Sequence, residues 1–195
     1  MAQEWFDYVS RLWKEDHAFD WDGTFFRGKG VYGRPHPVQS RIPVINAAAS
    51  EEGRVFAMRN ADFLFTPVFD FEQAKAAVDE ISQKSASAGR DVNVLTFCTV
   101  VCRPTRQEAE DYLHWYANEN ADWDAVDNLM TLQGMHAQSF TKEALSMFRD
   151  RFAAGHGGFP LVGTPDHIAD QLERLSETGV AGTTLSFVDY AKEFP

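Results

Sequence analysis

Short apolar segments alternate with amphipathic, helix-length segments along this 195-residue chain, and that alternation constrains the fold more than any other feature. The apolar segments span residues 43–49, 62–67, 92–102 and 183–188. They lack a strict apolar–polar alternation, which is typical of strands buried on both faces of a parallel sheet. The sequence therefore predicts an α/β fold with four parallel strands separated by helices, in one domain over residues 1–195.

Cap residues indicate where several helices begin. Ser50 precedes a helix predicted to run to residue 60, with two glutamates in its first turn. Thr105 lies three residues before Glu108, which is the spacing of a capping box. Thr164 precedes Pro165, and proline is favoured at the first position of a helix. These signals are local, so they predict helix starts independently of the overall fold.

Other segments are less regular. Residues 4–14 predict an amphipathic helix without an N-cap, which indicates either a piece of a longer parent or a natural start at a helix. Residues 19–39 are rich in aromatic residues, glycine and proline, and predict an excursion across the surface. Residues 119–158 are mixed, with a helix predicted over 141–152, and long connections of this kind are often lids.

Composition excludes several classes of function. The formal net charge is −11, and no cluster of Lys and Arg can neutralise a run of phosphates, which argues against a nucleic-acid partner. No segment has the length and apolarity of a membrane span or a signal peptide, so we expect no membrane partner and a cytoplasmic location. Cys98 and Cys102 fall on one face of a strand, where buried, reduced thiols are expected.

The segment from Asn46 to Gly53 is the clearest motif. A buried strand ends there and a helix begins, and the small side chains between them allow a ligand to approach the backbone. The first-turn N–H groups of a helix have no partner within the helix, so such a turn is a common phosphate site. Ser50 is the leading candidate for a ligand contact, although a serine N-cap without any ligand is the alternative. For Glu51 and Glu52, we expect carboxylates that face solvent.

Four segments, in this order along the chain, resemble the bacterial luciferase-like flavin-dependent monooxygenases: FFR at 25–27, PVINAAASEEGR at 43–54, NADFLFT at 60–66 and PLVGTPDHIADQL at 160–172. Residues 179–188, after the last predicted helix, also belong to the resemblance. Within that family, the chain is most similar to the group that includes dimethylsulfone, alkanesulfonate and pyrimidine-ring monooxygenases.

The resemblance implies a fold. The family forms an eight-stranded (β/α) TIM barrel with its site at the carboxyl ends of the strands. The matching segments make this chain the carboxyl-terminal half of that barrel, comprising strands 5 to 8, without the first four strands or the final helix. A half-barrel exposes two strand edges and an apolar inner face. We therefore expect a homo-oligomer, such as a dimer, or pairing with a separate amino-terminal half.

The resemblance also implies site residues. The flavin phosphate lies at the turn that matches Ala49, Ser50 and Glu51. His156 and Gly157 match the region where a mobile loop closes over reduced flavin, and they are candidates for a lid or a substrate contact, although a solvated histidine is the alternative. No catalytic acid or base is assigned, because the family's candidates lie largely in the missing half. No metal is expected, since the histidines lack metal-ligand spacing.

Two functions remain open. The first is a flavoprotein monooxygenase that takes reduced FMN from a separate flavin reductase and uses O2 to oxygenate a small organosulfur or heterocyclic substrate. The second is a catalytically silent half-barrel that self-associates or completes a barrel with a separate amino-terminal half.

Overall fold

A computed structural model of the chain describes residues 1–48, 50–135 and 141–193. Its helices are α1 (Ala2–Lys14), α2 (Glu51–Asn60), α3 (Phe71–Ser87), α4 (Arg106–His114), α5 (Trp123–Leu132), α6 (Lys142–Gly155), α7 (Pro165–Glu177) and α8 (Tyr190–Glu193). Its strands are β1 (Phe19–Asp22), β2 (Arg27–Val31), β3 (Ile45–Asn46), β4 (Phe63–Phe65), β5 (Asn93–Cys102), β6 (Phe159–Gly163) and β7 (Gly182–Phe187). A π-helical turn, Trp115–Glu119, continues α4.

A five-stranded parallel sheet forms the centre of the protein, and β5 is its longest strand. Leu95 of β5 pairs with β4 on one side and with β7 on the other. Cys98, further along β5, pairs with β6 and with β7. Since one residue pairs with only one strand on each edge, β4 and β6 share an edge of β5 and β7 occupies the other. The parallel α/β prediction is confirmed.

One face of the sheet, the covered face, lies under α2, α3 and α7. Alternate positions of β5, including Val94, Cys98 and Val100, point into this layer because successive side chains of a strand point to opposite faces. They pack in one apolar core with Leu64 of β4 and Ile81 of α3, which are both fully buried. This layer holds most of the buried apolar surface that stabilises the fold.

The other face, the open face, is only partly covered. Phe65 and Phe97 stack there with ring centroids 5.8 Å apart, and both side chains are half-exposed. Ile45, on the same face in β3, is 59% exposed. Near the carboxyl end of β5, Thr99 donates a hydrogen bond to the Gly155 carbonyl oxygen at 3.1 Å, so residues 155–158 cover that part of the face.

Helix α1 and the antiparallel β1–β2 hairpin pack beside the sheet. Phe6 of α1 makes an edge-to-face contact with Phe56 of α2, at 5.9 Å between ring centroids. The Glu4 carboxylate accepts hydrogen bonds from the backbone N–H groups of Thr24, Phe25 and Phe26, which holds the hairpin against α1. The predicted surface excursion over residues 19–39 is thus a hairpin with a specific anchor.

Two elements differ from the sequence prediction. The sheet has a fifth strand, β6, where the sequence predicted four. Pro160 lies in this segment and disfavours a strand prediction, but the strand pairs with β5 over five residues. Helix α5 lies in the segment that the sequence left irregular, since its acidic and aromatic residues show weak periodicity. It packs on α6 through a second apolar cluster that includes Val126, Met130, Phe148 and Phe152.

Predicted helix caps are confirmed at several positions. Ser50, Thr105 and Thr164 each accept a hydrogen bond from the first turn of the helix that follows, and Thr105 and Glu108 form the predicted capping box. Both cysteines are free thiols; Cys98 is buried and Cys102 is half-buried. Across the described ranges, no helix has the length and apolarity needed to cross a lipid bilayer.

Candidate functional site

The turn after β3 is the site that the sequence predicts. Because the strands are parallel, this turn lies at the same end of the sheet as the carboxyl ends of β4, β5 and β7. Ser50 is exposed and caps α2: its hydroxyl oxygen accepts a hydrogen bond from the Gly53 N–H at 3.1 Å. That bond uses one lone pair, so the hydroxyl hydrogen stays available to donate to an anion. The role of cap and the role of ligand contact are therefore compatible in Ser50.

Small residues make this turn compact. A Cβ atom placed on Gly53 would lie 2.8 Å from the Cβ of Ala48, which is closer than real Cβ atoms come. Any larger residue at position 53 would therefore push the turn outward. The glycine thus keeps the backbone of the first helical turn close to the end of β3.

Asn46, at the end of β3, carries a polar atom without a partner. Its side-chain Oδ1 is buried and accepts no hydrogen bond from any described residue. Asn46 pairs in register with Leu64, so its side chain points into the covered face and its buried oxygen is out of reach of a molecule bound on the open face. A ligand with a phosphate group, such as FMN, fits the exposed Ser50 hydroxyl and the first turn of α2.

The two glutamates after Ser50 are exposed, as expected. A group of charged side chains lies beside them: Lys84 of α3 donates a hydrogen bond to Glu80 at 2.6 Å, and Arg54 lies 3.9 Å from Glu80. The hydrogen bond with Glu80 raises the pKa of Lys84, and the neighbouring charge of Glu51 adds to this effect. Glu51 therefore lies close enough to Lys84 for their charges to interact, while Lys84 donates its hydrogen bond to Glu80. Ala49, the third predicted contact, lies outside the described residues.

His156 and Gly157 directly follow α6, and His156 is its C-cap residue. His156 has a left-handed backbone conformation, with φ of 56°, and Gly157 follows with φ of 82°. The His156 ring is exposed and lies 5.3 Å from the ring of Phe152, whereas Gly157 is buried. Among the described residues, no hydrogen bond or ring contact joins either residue to the Ser50 turn. Their role as a lid or substrate contact stays a prediction.

Sequence reasoning missed a polar cluster at the carboxyl end of β5. Arg103 lies over the ring of Tyr112, at 3.8 Å from its centroid, and pairs with the buried carboxylate of Glu193. Tyr116 donates a hydrogen bond to the Ala154 carbonyl oxygen at 2.8 Å. Burial raises the pKa of Tyr116, and the charge of Glu193 raises it further. No sequence signal links these residues, because up to 90 positions separate them.

A metal centre has no structural support in the described part of the chain, where no three His, Cys, Asp or Glu side chains group together in a way that could hold an ion.

Comparison with known proteins gives the family context. Residues 1–182 match the family model described as luciferase-like monooxygenase. The FMNH2-dependent dimethylsulfone monooxygenase of Pseudomonas putida is 28% identical over 204 residues, which cover 98% of this chain and 54% of the relative. The dimethyl-sulfide monooxygenase of Hyphomicrobium sulfonivorans is 30% identical, over 96% of this chain and 50% of the relative. The chain therefore spans about half the length of the curated relatives it matches.

Solved structures share the fold. The crystal structure of DmoA from Hyphomicrobium sulfonivorans superposes with a TM-score of 0.76 at 22% identity, covering 96% of this chain and 50% of that one. The crystal structure of riboflavin lyase (RcaE), with modified FMN and the substrate riboflavin, gives a TM-score of 0.77 at 21% identity, covering 96% of this chain and 52% of that one. At these identities, the likeness concerns the fold alone.

Proposed function

The chain belongs to the luciferase-like monooxygenase family, and from that premise we propose that it supplies the phosphate-binding half of an FMN-dependent monooxygenase. The observation that carries the proposal is the compact turn at Ser50, where an exposed hydroxyl can donate to an anion at the start of a helix whose first N–H groups have no partner within the helix. Reduced FMN, when bound, would supply the electrons that activate O2. The chain's own residues would bind the phosphate and orient the cofactor.

The proposed position in the family fold is strands 5 to 8 of a (β/α)8 barrel. In support, β3, β4, β5 and β7 lie side by side in chain order and run parallel, as successive barrel strands do. Strand β6 would be an addition that extends the sheet beside the carboxyl end of β5. The open face would then be the inner face of the barrel.

The proposed substrate is a small organosulfur compound, because two relatives are named for dimethylsulfone and dimethyl sulfide; a heterocyclic substrate is the second option. Reduced FMN would come from a separate flavin reductase, since the Pseudomonas putida relative is named as FMNH2-dependent. We place the protein in the cytoplasm, where its two thiols would stay reduced.

A second candidate function is a silent half-barrel that pairs with a copy of itself or with a separate amino-terminal half. The open face favours this function, because it carries the half-exposed Phe65 and Phe97 and the exposed Ile45. Burial of these apolar side chains against a partner would stabilise the association.

The phosphate site is tested by fluorescence titration of FMN and of riboflavin, which lacks the phosphate. Ser50→Ala should weaken FMN binding by about 1 kcal/mol or more, because it removes a hydrogen bond to a charged group, and should leave riboflavin binding unchanged. Thr141→Ala is the matched control, since Thr141 caps α6 with the same kind of hydrogen bond. Equal FMN affinity in wild type and Ser50→Ala would refute the assignment.

Activity separates the two functions. The measurement is oxygenation of dimethylsulfone with a supplied flavin reductase, on protein whose mass in solution is known from light scattering. Turnover by a dimer would support the enzyme. FMN binding without turnover, regained only when an amino-terminal half from a relative is added, would support the silent half-barrel.

A further inference from the structure

A cavity of about 320 Å³ lies at the amino-terminal end of the sheet, opposite the Ser50 turn. It is enclosed by α1, by residues 37–42 and by the end of α2, and it includes Val44, just before β3, and Arg90, ahead of β5. Its volume falls at the small end of the range of about 300–1,000 Å³ that is typical of ligand sites. The function proposed above makes no use of it.

Four cationic side chains line this cavity: Lys14, Arg41, Arg59 and Arg90. The whole chain has only 18 Lys and Arg against 29 Asp and Glu, yet none of the described residues that line the cavity is acidic. Asp62 lies beside it and pairs with Arg41 and with Arg90, which is 3.6 Å away. Asp62 thus pairs with two of the four cations, and the lining of the cavity carries an excess of positive charge that attracts anions within an acidic protein.

Lys14 and Arg59 are the cations that a ligand could bind without breaking an ion pair among the described residues. In the described part of the chain, neither side chain forms an ion pair, and both residues are exposed. Each belongs to the last turn of its helix, where a positive charge is favoured by the helix dipole.

Arg90 is held in place at the wall of the cavity. One of its terminal nitrogens donates to the Ala61 carbonyl oxygen at 2.8 Å, which fixes the guanidinium. Its Nε is buried and finds no acceptor among the described residues. Because that nitrogen is not accessible from the cavity, Arg90 contributes its positive charge to an anion bound there, not a hydrogen bond from Nε.

The rest of the lining combines apolar and aromatic residues with four polar ones, Ser10, Gln39, Ser40 and Asn60. Phe6 and Trp13 of α1 face the cavity together with Pro37, Ile42 and Val44. Side chains of this kind favour a flat apolar body, whereas the arginines favour a planar or tetrahedral oxyanion. We propose that the cavity binds a small organic anion, an oxyanion group carried on a flat apolar body, at a site separate from the flavin turn.

Isothermal titration calorimetry with phenyl phosphate tests the proposal, with inorganic phosphate and phenol as the two halves of the probe. Phenyl phosphate should bind saturably and more tightly than either, and its affinity should fall as salt rises. Lys14→Gln combined with Arg59→Gln should weaken binding by about tenfold or more, because two charged donors are lost. Excess FMN should not displace the probe from the wild-type protein.

The matched control is Lys75→Gln combined with Arg106→Gln, which removes two exposed cations of α3 and α4 and should change the affinity less than about twofold. Arg59→Gln alone provides a milder variant if the double variant is unstable. An absence of saturable binding at millimolar phenyl phosphate, equal loss in both double variants, or displacement by FMN would each overturn the proposal.

Discussion

The two faces of the central sheet differ in how completely they are buried, although the same strands build both. Leu64 and Phe65 are neighbours in β4: Leu64 is fully buried under the helices, while Phe65 stacks on Phe97 and stays half-exposed. The covered face is therefore sufficient for a stable core, and the open face is apolar without being needed for that core. Apolar residues kept on an open face are more consistent with a role in binding or assembly than in stability.

The largest effect should come from the covered face. Leu64→Ala should lower the free energy of unfolding by about 2–5 kcal/mol, because it removes buried apolar atoms and leaves a cavity that the packed layer cannot fill. Urea unfolding followed by circular dichroism measures the loss. A loss below 1 kcal/mol would mean that the covered face is as loosely packed as the open one.

The same change on the open face should cost less. Phe65→Ala should lower the free energy of unfolding by about 1–2 kcal/mol, since a half-exposed ring gains less from burial. It should also reduce self-association, measured by analytical ultracentrifugation, if this face is an interface. A loss as large as that of Leu64→Ala would remove the distinction between the two faces.

The segment that covers part of the open face is anchored by Tyr116. Tyr116→Phe should cost about 0.5–1.5 kcal/mol at neutral pH, because the hydrogen bond to the Ala154 carbonyl oxygen is lost. The fold raises the pKa of Tyr116, so its stabilising effect is fully present below the ordinary tyrosine pKa of about 10 and is lost as pH rises through the folded-state value. The difference in melting temperature between wild type and Tyr116→Phe should therefore shrink as pH rises from neutral to alkaline. A constant difference would contradict this.

The smallest effect should come from the hairpin, which lies outside both faces. Burial alone would raise the pKa of Glu4, but hydrogen bonds from Phe26, Phe25, Trp21 and Thr24 together lower it. The stabilising effect is therefore present above the ordinary glutamate pKa of about 4.3 and is lost as pH falls through the lowered folded-state value. Glu4→Gln should lower the melting temperature slightly at neutral pH and leave it unchanged in acid. A difference that persists in acid would mean that packing, not charge, holds the hairpin.

Local sequence signals predicted much of the fold. Ser50 and Thr164 were identified as caps because capping depends on the few residues around a helix start, and the structure has both. Strand β6 was missed because Pro160 lowers strand propensity, while pairing with a long neighbouring strand overrides that preference. The candidate flavin turn could be predicted because its residues are consecutive, whereas the orphaned oxygen of Asn46 became visible only in the packed structure.

The sequence by itself determined the α/β class, several helix starts and the turn at Ser50, because periodicity and capping act over a few residues. Only the tertiary structure decided that β5 has three partner strands, that one sheet face stays open, and that Lys14, Arg41, Arg59 and Arg90 surround one cavity. The physical reason is that these features depend on contacts between residues far apart in the chain. Such contacts form only when the helices and strands pack together and bury their apolar surfaces.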